Sequence, residues 1–597
     1  MEVRNLANPV SDETLACVFA HLDSPVDLSA VSRVCRQWRR VDSNTRKHVQ
    51  IANCYSVAPA TLTRRFPRLL SLKLKGKSRA FEFELLPPNW GGYAGPWLAE
   101  VARAYAHQFQ SLWLRRMVVT DDDLLLLATS CHDSLVSLKL DKCSGFSARG
   151  LEYITVRCRL LKVLYLEEST IQEGERSREW LHELAVNNPN IEELNFQYTT
   201  GLDDIDVDDL DLIAANCRSL RSLKVAEVDI LDMERVANRC TTLVELGTGD
   251  CSRVGDPEVP VPIVNFPRTI MALSGFLALN DLGVPAIVGM LANLKKLDLQ
   301  FSLLSQDGYC QILQHCTSLE VLMARNGLGD AGLITVARTC KNLRRIRIDD
   351  SEGESILSPA GIIPLAKSCV RLEYVCMYVH NISNATLVAF GRNSVLKDCR
   401  FVLLSALKVI PDLPLDEGVK ALLRGCRSLT RFALYVRNGA LTDRGMGYIG
   451  EYGGRLKWIL LGCTGESDLG FTRLAAGCHS LERLEMRDCP FTELGCVTAA
   501  TAMPNLKFMW IQGREVTEAG GRMLAGARSH WIVETAPTLQ LVTAYASLAE
   551  PRRDNPAVIT VIQGGNHQNN HGNGGGSLML SVNRKGLALD SQLEGFS

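Results

Sequence analysis

The sequence lacks the features that would place the chain in a membrane, outside the cell or on nucleic acid. Its 597 residues carry a formal net charge of −1, so no excess of either sign favours nucleic acid or an anionic membrane as a partner. Residues 1–10 contain no basic segment followed by an apolar core, as a secretory signal does. The most apolar stretch, Ile270 to Leu294, is interrupted by Asp281 and Pro285 and cannot form one uninterrupted membrane-spanning helix. We expect a soluble intracellular protein.

Motifs of the common enzyme classes are missing as well. The sequence has no G-x-x-x-x-G-K-[ST] for phosphate binding, no G-x-S-x-G for a nucleophilic serine and no H-E-x-x-H for zinc. Its 11 histidines show no metal-ligand spacing. We therefore expect neither catalysis nor a metal site.

Cysteine, by contrast, is abundant, but it is not arranged for disulfides or metal. No C-x-x-C…C-x-x-C pair occurs among the 20 cysteines. Eight of them are followed, three residues later, by a leucine-type residue that begins L-x-x-L-x-L or a close variant. These eight are Cys158, Cys217, Cys240, Cys316, Cys340, Cys369, Cys426 and Cys478. The same small residue at one repeat position indicates a buried hydrophobe, so these cysteines are predicted to be structural.

The recurring unit is a leucine-rich repeat, which predicts the fold. In Gly361 to Met377, a helix-like stretch leads to Cys369 and then to a short strand with leucine-type residues at alternate positions. Most units follow each other at roughly 25 residues, and an insertion from Lys75 to Pro96 lengthens one of them. A single unit cannot bury its own apolar face, so the units must stack. We predict an α/β fold, a leucine-rich repeat solenoid shaped as a horseshoe, over residues 53–562.

The two ends of the chain differ from the repeats. Residues 11–52 predict a small helical unit that begins at the capping signal Ser11 to Thr14. Its apolar residues, Leu15 and Phe19 among them, are numerous for so short a segment and are expected to need another surface to cover them. Residues 563–597 contain a run of glycine, asparagine and histidine and are predicted to be disordered.

Residues that alternate with the leucines point to the inner face of the solenoid, and they are rich in cations and large aromatics. Arginine suits a carboxylate or a phosphate, and tyrosine and tryptophan supply apolar walls with one polar atom each. The expected ligands are a small acid with an apolar body and a more highly charged phosphate compound. A solvated face with scattered cross-strand pairs is the alternative. The inner residues are Lys73, Lys75, Trp113, Arg115, Arg116, Arg345, Arg347, Cys376, Tyr378, Asp398, Arg400, Arg431, Tyr435, Trp458, Leu460, Arg483, Arg487, Phe508 and Trp510.

Several longer strings carry a family resemblance. Residues 11–52, with Asp27-Leu-Ser-Ala-Val-Ser-Arg-Val-Cys-Arg-Gln-Trp38, resemble an F-box, and the cysteine-containing repeats are the subtype that follows F-boxes. The chain also resembles the coronatine-insensitive jasmonate receptors of plants, with the auxin-receptor F-box proteins as the nearest sister group. The strings that carry this resemblance are Leu72-Lys-Leu-Lys-Gly-Lys-Ser-Arg79, Pro88-Asn-Trp-Gly-Gly-Tyr93, Leu138-Lys-Leu-Asp-Lys-Cys-Ser-Gly-Phe146 and Gly465-Glu-Ser-Asp468.

The resemblance implies a non-catalytic, nuclear subunit of a ubiquitin ligase. The F-box would bind a SKP-type adaptor of a cullin complex, and the solenoid would recruit jasmonate ZIM-domain repressors through a jasmonate-type oxylipin, with an inositol polyphosphate as structural cofactor. The implied hormone-binding residues are Arg79, Phe83, Leu85, Arg347, Cys376, Tyr378, Arg400, Val402, Tyr435, Leu460 and Trp510. Those implied for the inositol polyphosphate are Lys73, Lys75, Arg116, Arg345, Arg400 and Arg483. Those implied for the repressor degron are Phe81, Arg347, Tyr378, Trp458 and Arg487.

The chain departs from the family pattern at three places, and two other functions stay open. The F-box begins Val10-Ser11 rather than Leu-Pro, Cys376 stands where flowering-plant members carry alanine, and Glu82 replaces an apolar loop residue. The hormone is therefore either an isoleucine conjugate or an unconjugated cyclopentenone acid. An auxin-like receptor is one alternative function. The other is a scaffold without a small ligand, in which the inner cations would pair with acids, although the sequence offers few besides Asp398 and Glu485.

Overall fold

The structure, a computed structural model, describes most of the repeat region and the N-terminal helices. The described residues are 10–22, 25–51, 54, 57–76, 92–172, 179–202, 205–225, 228–258, 262–349, 356–403, 412–506, 508–512, 518–527, 532–536 and 558–562. No helix among these residues is both long and apolar enough to cross a membrane.

Short helices and short strands alternate along the chain. The α-helices are α1 (Asp12–Ala20), α2 (Pro25–Val34), α3 (Arg36–Thr45), α4 (Pro59–Arg65), α5 (Gly95–Tyr105), α6 (Asp121–Ser130), α7 (Ala148–Arg157), α8 (Glu179–Asn187), α9 (Val207–Asn216), α10 (Ile230–Arg239), α11 (Val284–Ile287), α12 (Gln306–Leu313), α13 (Gly329–Thr339), α14 (Pro359–Ser368), α15 (Asn384–Phe390), α16 (Asp416–Gly425), α17 (Asp443–Tyr452), α18 (Asp468–Gly477), α19 (Glu493–Ala502) and α20 (Glu518–Ala527). Further 3-10 helices span Arg253–Gly255, Asp281–Gly283, Val288–Asn293 and Asn326–Leu328.

The strands are three to six residues long, as the repeat predicts. They are β1 (His48–Ile51), β2 (Ser71–Lys75), β3 (Ser111–Arg115), β4 (Ser137–Asp141), β5 (Ser144–Ser147), β6 (Val163–Tyr165), β7 (Thr170–Gln172), β8 (Glu193–Asn195), β9 (Ser222–Lys224), β10 (Glu245–Gly247), β11 (Ala272–Ser274), β12 (Lys296–Asp298), β13 (Val321–Arg325), β14 (Arg345–Asp349), β15 (Tyr374–Val379), β16 (Asp398–Leu403), β17 (Arg431–Tyr435), β18 (Trp458–Gly462), β19 (Arg483–Arg487), β20 (Phe508–Gln512), β21 (Ile532–Ala536) and β22 (Val558–Ile562).

The chain divides into two compact units, of which unit 1 comprises residues 1–78, 90–226 and 236–243. Its parallel sheet runs β1, β2, β3, β4, β6, β8 and β9, and β5 pairs with β7 separately. The register aligns one leucine per repeat: Leu72, Leu112, Leu138, Leu164, Leu194 and Leu223. All of these leucines are fully buried, so a continuous apolar core forms only when the repeats stack.

The N-terminal helices of unit 1 bury much of their own apolar surface. Ser11 caps α1 by accepting a hydrogen bond from the backbone N–H of Thr14, which confirms the predicted helix start. Leu15 and Phe19 lie in a small core of these helices, and the Phe19 ring meets the Trp38 ring edge-on at 5.3 Å. The expectation that another surface must cover Leu15 and Phe19 is therefore wrong. Among the described residues of this segment, the exposed large apolar side chains are Val10, Val18 and Val34.

Unit 2 comprises residues 79–89, 227–235 and 244–597. Its parallel sheet runs from β10 to β20 in chain order, followed by β22 and β21. The same alternation recurs, since Leu322, Ile346 and Val375 align across β13 to β15 and are fully buried. The predicted α/β leucine-rich repeat fold is confirmed.

The repeat cysteines occupy one structural position, as predicted. Each of the eight is buried. Several thiols donate to a backbone carbonyl of the preceding repeat: Cys340 to Cys316 at 3.3 Å, Cys369 to Cys340 at 3.5 Å and Cys426 to Phe390 at 3.2 Å. Burial raises the pKa of Cys369 and Cys478, to about 11 and about 12. The thiols therefore stay protonated at neutral pH and serve as small hydrophobes that also satisfy buried carbonyls.

An aspartate in the first turn of many helices connects each repeat to the next. In α17, Asp443 accepts hydrogen bonds from the backbone N–H of Glu466 at 2.8 Å and of Ser467 at 3.1 Å, and from the Ser467 hydroxyl. Asp416 and Asp468 make the same contacts with Thr442 and Thr492. A Cβ at Gly470 would lie 2.2 Å from Asp443 Oδ1, so only glycine allows this approach.

Candidate functional site

The inner face of strands β14 to β19 carries three aligned rows of side chains in unit 2. The strand register defines each row, because residues that alternate along a strand share one face of the sheet. The first row is Arg345, Tyr374, Asp398, Arg431, Trp458 and Arg483. The second row is Arg347, Cys376, Arg400, Ala433, Leu460 and Glu485. The third row is Tyr378, Val402, Tyr435, Gly462 and Arg487.

Guanidinium groups and aromatic rings stack against each other at the centre of the first two rows. The Arg400 guanidinium lies 5.3 Å from the Tyr374 ring centroid and 4.8 Å from that of Trp458. Arg345 stacks on Tyr374 at 4.8 Å, and Arg431 stacks on Trp458 at 5.1 Å. Cation–π contacts stabilise a desolvated cation on an aromatic face. They explain how Arg400 can be only 1% exposed.

One carboxylate, Asp398, lies close to two of these arginines. Asp398 accepts from Arg400 Nε at 2.7 Å and Nη2 at 2.6 Å, and its Oδ2 lies 3.2 Å from Arg431 Nε. Burial by itself lowers the pKa of Arg400, but Tyr374 and Asp398 outweigh burial and hold this pKa well above its ordinary value. The site therefore keeps Arg400 charged.

Two further acids complete the pairing. Glu485 accepts from Arg483 Nε at 2.5 Å and from the Trp458 indole N–H at 2.8 Å. Arg347 Nε donates to Asp349 at 2.8 Å on the same strand. Asp398 and Glu485 are the two acids that the sequence offered, and Asp349 is the one that the structure adds. The face stays cationic all the same, because the three rows contain Arg345, Arg347, Arg400, Arg431, Arg483 and Arg487.

Tyr374 contributes a polar atom that the sequence analysis did not single out. Its side chain is 7% exposed, and its hydroxyl has no hydrogen-bond partner among the described residues. Burial raises the pKa of Tyr374. A buried hydroxyl without a partner costs about 1–3 kcal/mol, so a polar ligand here would relieve that cost. The sequence could have indicated Tyr374, because it lies two residues before Cys376 on the same strand and therefore faces the same side of the sheet.

An apolar cluster lies beside the arginines and contains most of the residues predicted to wall in a hormone. Cys376, Tyr378, Val402 and Leu460 pack together with Tyr374, Ala433 and Trp458, and Tyr435 packs against them. Cys376 is fully buried, and burial raises its pKa to about 11. The structure thus brings the predicted Arg347 and Arg400 next to a continuous apolar surface.

Trp458, which the resemblance implies for the degron, lies among the arginines of the first row. It is 5% exposed, belongs to the first row and is covered by Arg400 and Arg431. Its side chain is part of the cation cluster, and its contact with a degron stays a prediction. Arg487, the other described residue predicted for the degron alone, lies in the third row.

The remaining predicted cations belong to unit 1. Lys73 Nζ lies 3.2 Å from the Trp113 ring centroid on the neighbouring strand. Lys75 and Arg116 are buried, and Arg116 has a φ of 55° directly after β3. Arg115 Nε lies 3.3 Å from Asp141, whose pKa burial raises to about 6. Unit 1 therefore has a small group of buried cations of its own.

Some predicted residues cannot be placed. Arg79, Phe81, Phe83 and Leu85 lie outside the described residues. Trp510 belongs to β20, where its backbone pairs with Glu485, but its side chain is not described. Within the described part of the chain, no group of histidine, cysteine, aspartate or glutamate side chains could hold a metal ion.

Comparison with known proteins identifies two regions of the chain. The model of the F-box family matches residues 7–48. The family model described as the transport inhibitor response 1 protein domain matches residues 67–112. The first match covers α1 to α3, and the second covers β2, α5 and the first two residues of β3 in unit 1.

Full-length relatives are similar over nearly the whole chain. The chain is 41% identical over 579 residues to coronatine-insensitive protein 1 of Arabidopsis thaliana, which covers 92% of this chain and 97% of that protein. It is 43% identical over 564 residues to coronatine-insensitive protein homolog 1b of Oryza sativa subsp. japonica, with 93% of each chain covered. It is 44% identical over 541 residues to coronatine-insensitive protein homolog 1a of Oryza sativa subsp. indica, and the match covers 88% of this chain and 89% of that protein.

Proposed function

This chain belongs to the coronatine-insensitive family of F-box proteins, and on that basis we propose that it is a hormone receptor that selects substrates for a ubiquitin ligase. The F-box over residues 11–52 binds a SKP-type adaptor and, through it, a cullin. The repeats over residues 53–562 bind a jasmonate-type oxylipin and recruit jasmonate ZIM-domain repressors for degradation. We place this activity in the nucleus and in the signalling of plant defence.

One observation carries the hormone proposal: two buried arginines lie beside an apolar cluster. Arg347 and Arg400 offer guanidinium groups, and a guanidinium has more N–H donors than one carboxylate can accept. Pairing with Asp349 and Asp398 therefore still permits these arginines to bind a ligand carboxylate. The neighbouring apolar cluster suits the hydrocarbon body of the same ligand.

The first row supports an inositol polyphosphate as the structural cofactor. Arg345 and Arg483 supply the charge, and the Tyr374 hydroxyl is a polar atom available to a phosphate oxygen. Lys73, Lys75 and Arg116, which the resemblance implies for this cofactor, belong to unit 1. A polyphosphate that binds the folded chain would raise its thermal stability by mass action.

The direct experiment is hormone-dependent capture of a repressor degron peptide by the purified receptor–adaptor complex. Arg347→Ala removes a charge-assisted contact worth about 1.5–3 kcal/mol, so capture should weaken roughly tenfold or more. Arg344→Ala is the matched control, because Arg344 precedes the same strand and pairs with Glu373 instead. Equal capture by the Arg347 and Arg344 variants would refute the hormone site.

A scaffold that binds its partner without a hormone is the second candidate. The pairing of Arg347, Arg400 and Arg483 with acids favours it, because such a scaffold does not need an anionic ligand to balance its charge. The two candidates differ in one measurement, since the scaffold captures the degron peptide equally with and without oxylipin. The auxin-like alternative receives no comparable support, because the relatives reported above are coronatine-insensitive proteins.

A further inference from the structure

Five consecutive repeats of unit 2 concentrate cations where each helix leads into the next strand. We count each such connection from the last turn of the helix to the residue before the strand. The connections that follow α13, α14, α15, α16 and α17 contain eleven lysines and arginines but only two acids, Glu373 and Glu451. We call these cations the basic belt: Arg338, Lys341, Arg344, Lys367, Arg371, Arg392, Lys397, Arg424, Arg427, Arg455 and Lys457.

The belt has sharp boundaries. The connections that follow α12 and α18 contain no lysine or arginine, and each contains one glutamate, Glu320 or Glu482. Eleven cations and two acids give the five connections a formal charge of +9, in a chain whose formal net charge is −1. A cation in the last turn of a helix opposes the helix dipole, which explains Arg338, Lys367 and Arg424. The other eight cations lie beyond their helices, so the dipole does not explain the belt.

Most of this charge faces solvent without a counter-charge from the chain. Ten of the eleven side chains are exposed, and Arg344 is half-buried. Within the part of the chain that the structure describes, ion pairs involve only Arg344 and Lys397, which share Glu373. The belt is therefore suited to an anionic partner.

Two arginines of the belt are held in place by the preceding connection. Arg371 donates to Asn342 Oδ1 at 2.9 Å, and Arg455 donates to the backbone carbonyl of Arg427 at 2.8 Å. Both acceptors are uncharged. These contacts restrict the two guanidinium groups without neutralising them, so less side-chain entropy is lost when they bind an anion.

Two exposed valines lie in the middle of the belt. Val370 is 64% exposed and precedes Arg371, and Val395 is 42% exposed and lies between Arg392 and Lys397. Their connections are neighbours, because β15 pairs with β16. An apolar centre surrounded by polar and charged residues is the usual layout of a protein–protein contact. A nucleic acid backbone would use the cations but not the valines, and membrane surfaces are usually entered by larger side chains such as tryptophan, phenylalanine and leucine.

We propose that the basic belt binds an acidic segment of a partner protein, one that carries apolar side chains among its carboxylates. The carboxylates pair with the lysines and arginines, and the apolar side chains cover the two valines. The belt lies where the strands begin, whereas the third row lies towards the ends of the strands. This docking surface is therefore separate from the residues proposed for hormone and degron, and it does not depend on them.

The test measures the binding of a fluorescent peptide to the purified full-length protein by anisotropy. Neighbouring strands are roughly 4.8 Å apart, so five connections span roughly 20 Å at the strand ends, and an extended peptide of about twelve residues covers them. The probe contains glutamate throughout except for two central leucines. A peptide of the same length with glutamate alone is the reference, and a DNA duplex and phosphatidylserine vesicles are the competing polyanions. Wild type should bind the leucine-containing peptide about fivefold more tightly than the reference, because the leucines bury apolar surface against the valines.

Charge reversal within the belt has a matched control elsewhere on the chain. Lys367→Glu, Arg392→Glu and Arg427→Glu together should weaken binding of the leucine-containing peptide about tenfold or more. Arg159→Glu, Arg218→Glu and Arg268→Glu make the same change in charge at exposed residues outside the belt, so that variant should stay within about twofold of wild type. Thermal melting shows whether both variants are folded.

The valines are tested separately. Val370→Ser combined with Val395→Ser changes exposed side chains and leaves every belt cation in place. This variant should bind the two peptides with equal affinity, because the leucines no longer meet an apolar surface.

Four outcomes would overturn the proposal. They are no binding of the leucine-containing peptide by wild type, equal binding by the belt and control variants, equal affinity of wild type for the two peptides, and tighter binding of the duplex or the vesicles than of the peptide. Hormone-dependent degron capture by the belt variant should stay at the wild-type level. A failure of this proposal therefore leaves the proposed function intact.

Discussion

Replacing Asp398 by asparagine removes the carboxylate on which the buried arginines of the first two rows depend. Asp398 accepts two N–H bonds from Arg400 and contacts Arg431, and the side chains of Asp398 and Arg400 are 9% and 1% exposed. Removing one partner of a buried ion pair typically costs 3–5 kcal/mol, because the remaining charge is left unbalanced. Asparagine keeps one acceptor oxygen, so we expect a loss of about 3 kcal/mol in the free energy of unfolding.

Glu373→Gln is the matched control for this measurement. Glu373 also contacts two cations, Arg344 and Lys397, but those side chains are 41% and 55% exposed. Exposed ion pairs contribute about 0–1 kcal/mol, so this variant should lose no more than about 1 kcal/mol per pair. Urea denaturation of the purified complex compares the two variants under identical conditions.

A polyanion provides the second half of the test. Inositol hexakisphosphate added to Asp398→Asn would supply the missing negative charge, so it should raise the melting temperature of this variant more than that of wild type. Equal destabilisation by Asp398→Asn and Glu373→Gln would refute the charge-balance argument. If the polyphosphate raises the melting temperature of Asp398→Asn and of wild type equally, its binding does not depend on the charge of Asp398.

Three further predictions concern other parts of the chain. Val18→Asp combined with Val34→Asp alters exposed residues of the F-box helices (53% and 59% exposed), so the protein should stay folded but no longer co-purify with the adaptor; undiminished co-purification would contradict the adaptor surface. Cys376→Ala removes the sulfur atom and so enlarges the space beside the apolar cluster by about one heavy atom. We therefore expect this variant to favour a bulky amino-acid conjugate over the unconjugated acid by about 1 kcal/mol, measured by competitive binding. Burial alone raises the pKa of Asp443, but the hydrogen bonds from Ser467 and its neighbours hold this pKa below its ordinary value. The stability that Asp443 contributes should therefore be complete above a pH of about 4 and be lost as the pH falls through its lower folded-state pKa. Asp443→Asn should melt at a lower temperature than wild type at neutral pH, and this difference should shrink as the pH falls.

The fold could be predicted because every repeat must bury the same positions, so the same residue pattern recurs many times along the chain. A cysteine three residues before each leucine-type strand can be read without knowing any contact, and Cys340, Cys369 and Cys426 all occupy the predicted position. The helix start at Ser11 was predictable for a similar reason, since a cap depends on residues three apart.

The charge pairs of the site could also have been found in the sequence. Asp398 with Arg400, Arg483 with Glu485 and Arg347 with Asp349 are all two residues apart on one strand, so they share a face. Asp398 and Glu485 were recognised as inner acids, but their pairing within a strand, and Asp349, were not. An alternation of opposite charges within a strand was the signal.

Other features depend on geometry that sequence spacing does not contain. Tyr435 reaches Asp488 across two strands, and the contact requires the left-handed backbone of Asp488. Phe19 is covered by Trp38 from another helix, so the number of apolar residues in the segment overestimated the surface left exposed. The burial of Trp458 likewise follows from Arg400 and Arg431, which lie on β16 and β17.

The buried thiols have a practical consequence for experiments on this protein. Maleimides and other alkylating reagents attack the thiolate from water, so a cysteine that is buried and stays protonated reacts slowly. Of the 20 cysteines, Cys17 in α1 and Cys35 at the N-cap of α3 are exposed, whereas Cys310 and Cys463 of the repeats are half-buried. Brief treatment of the native protein with a fluorescent maleimide should therefore label the F-box with little labelling of the repeats. Adaptor binding could then be followed by fluorescence without removing a single cysteine from the repeats.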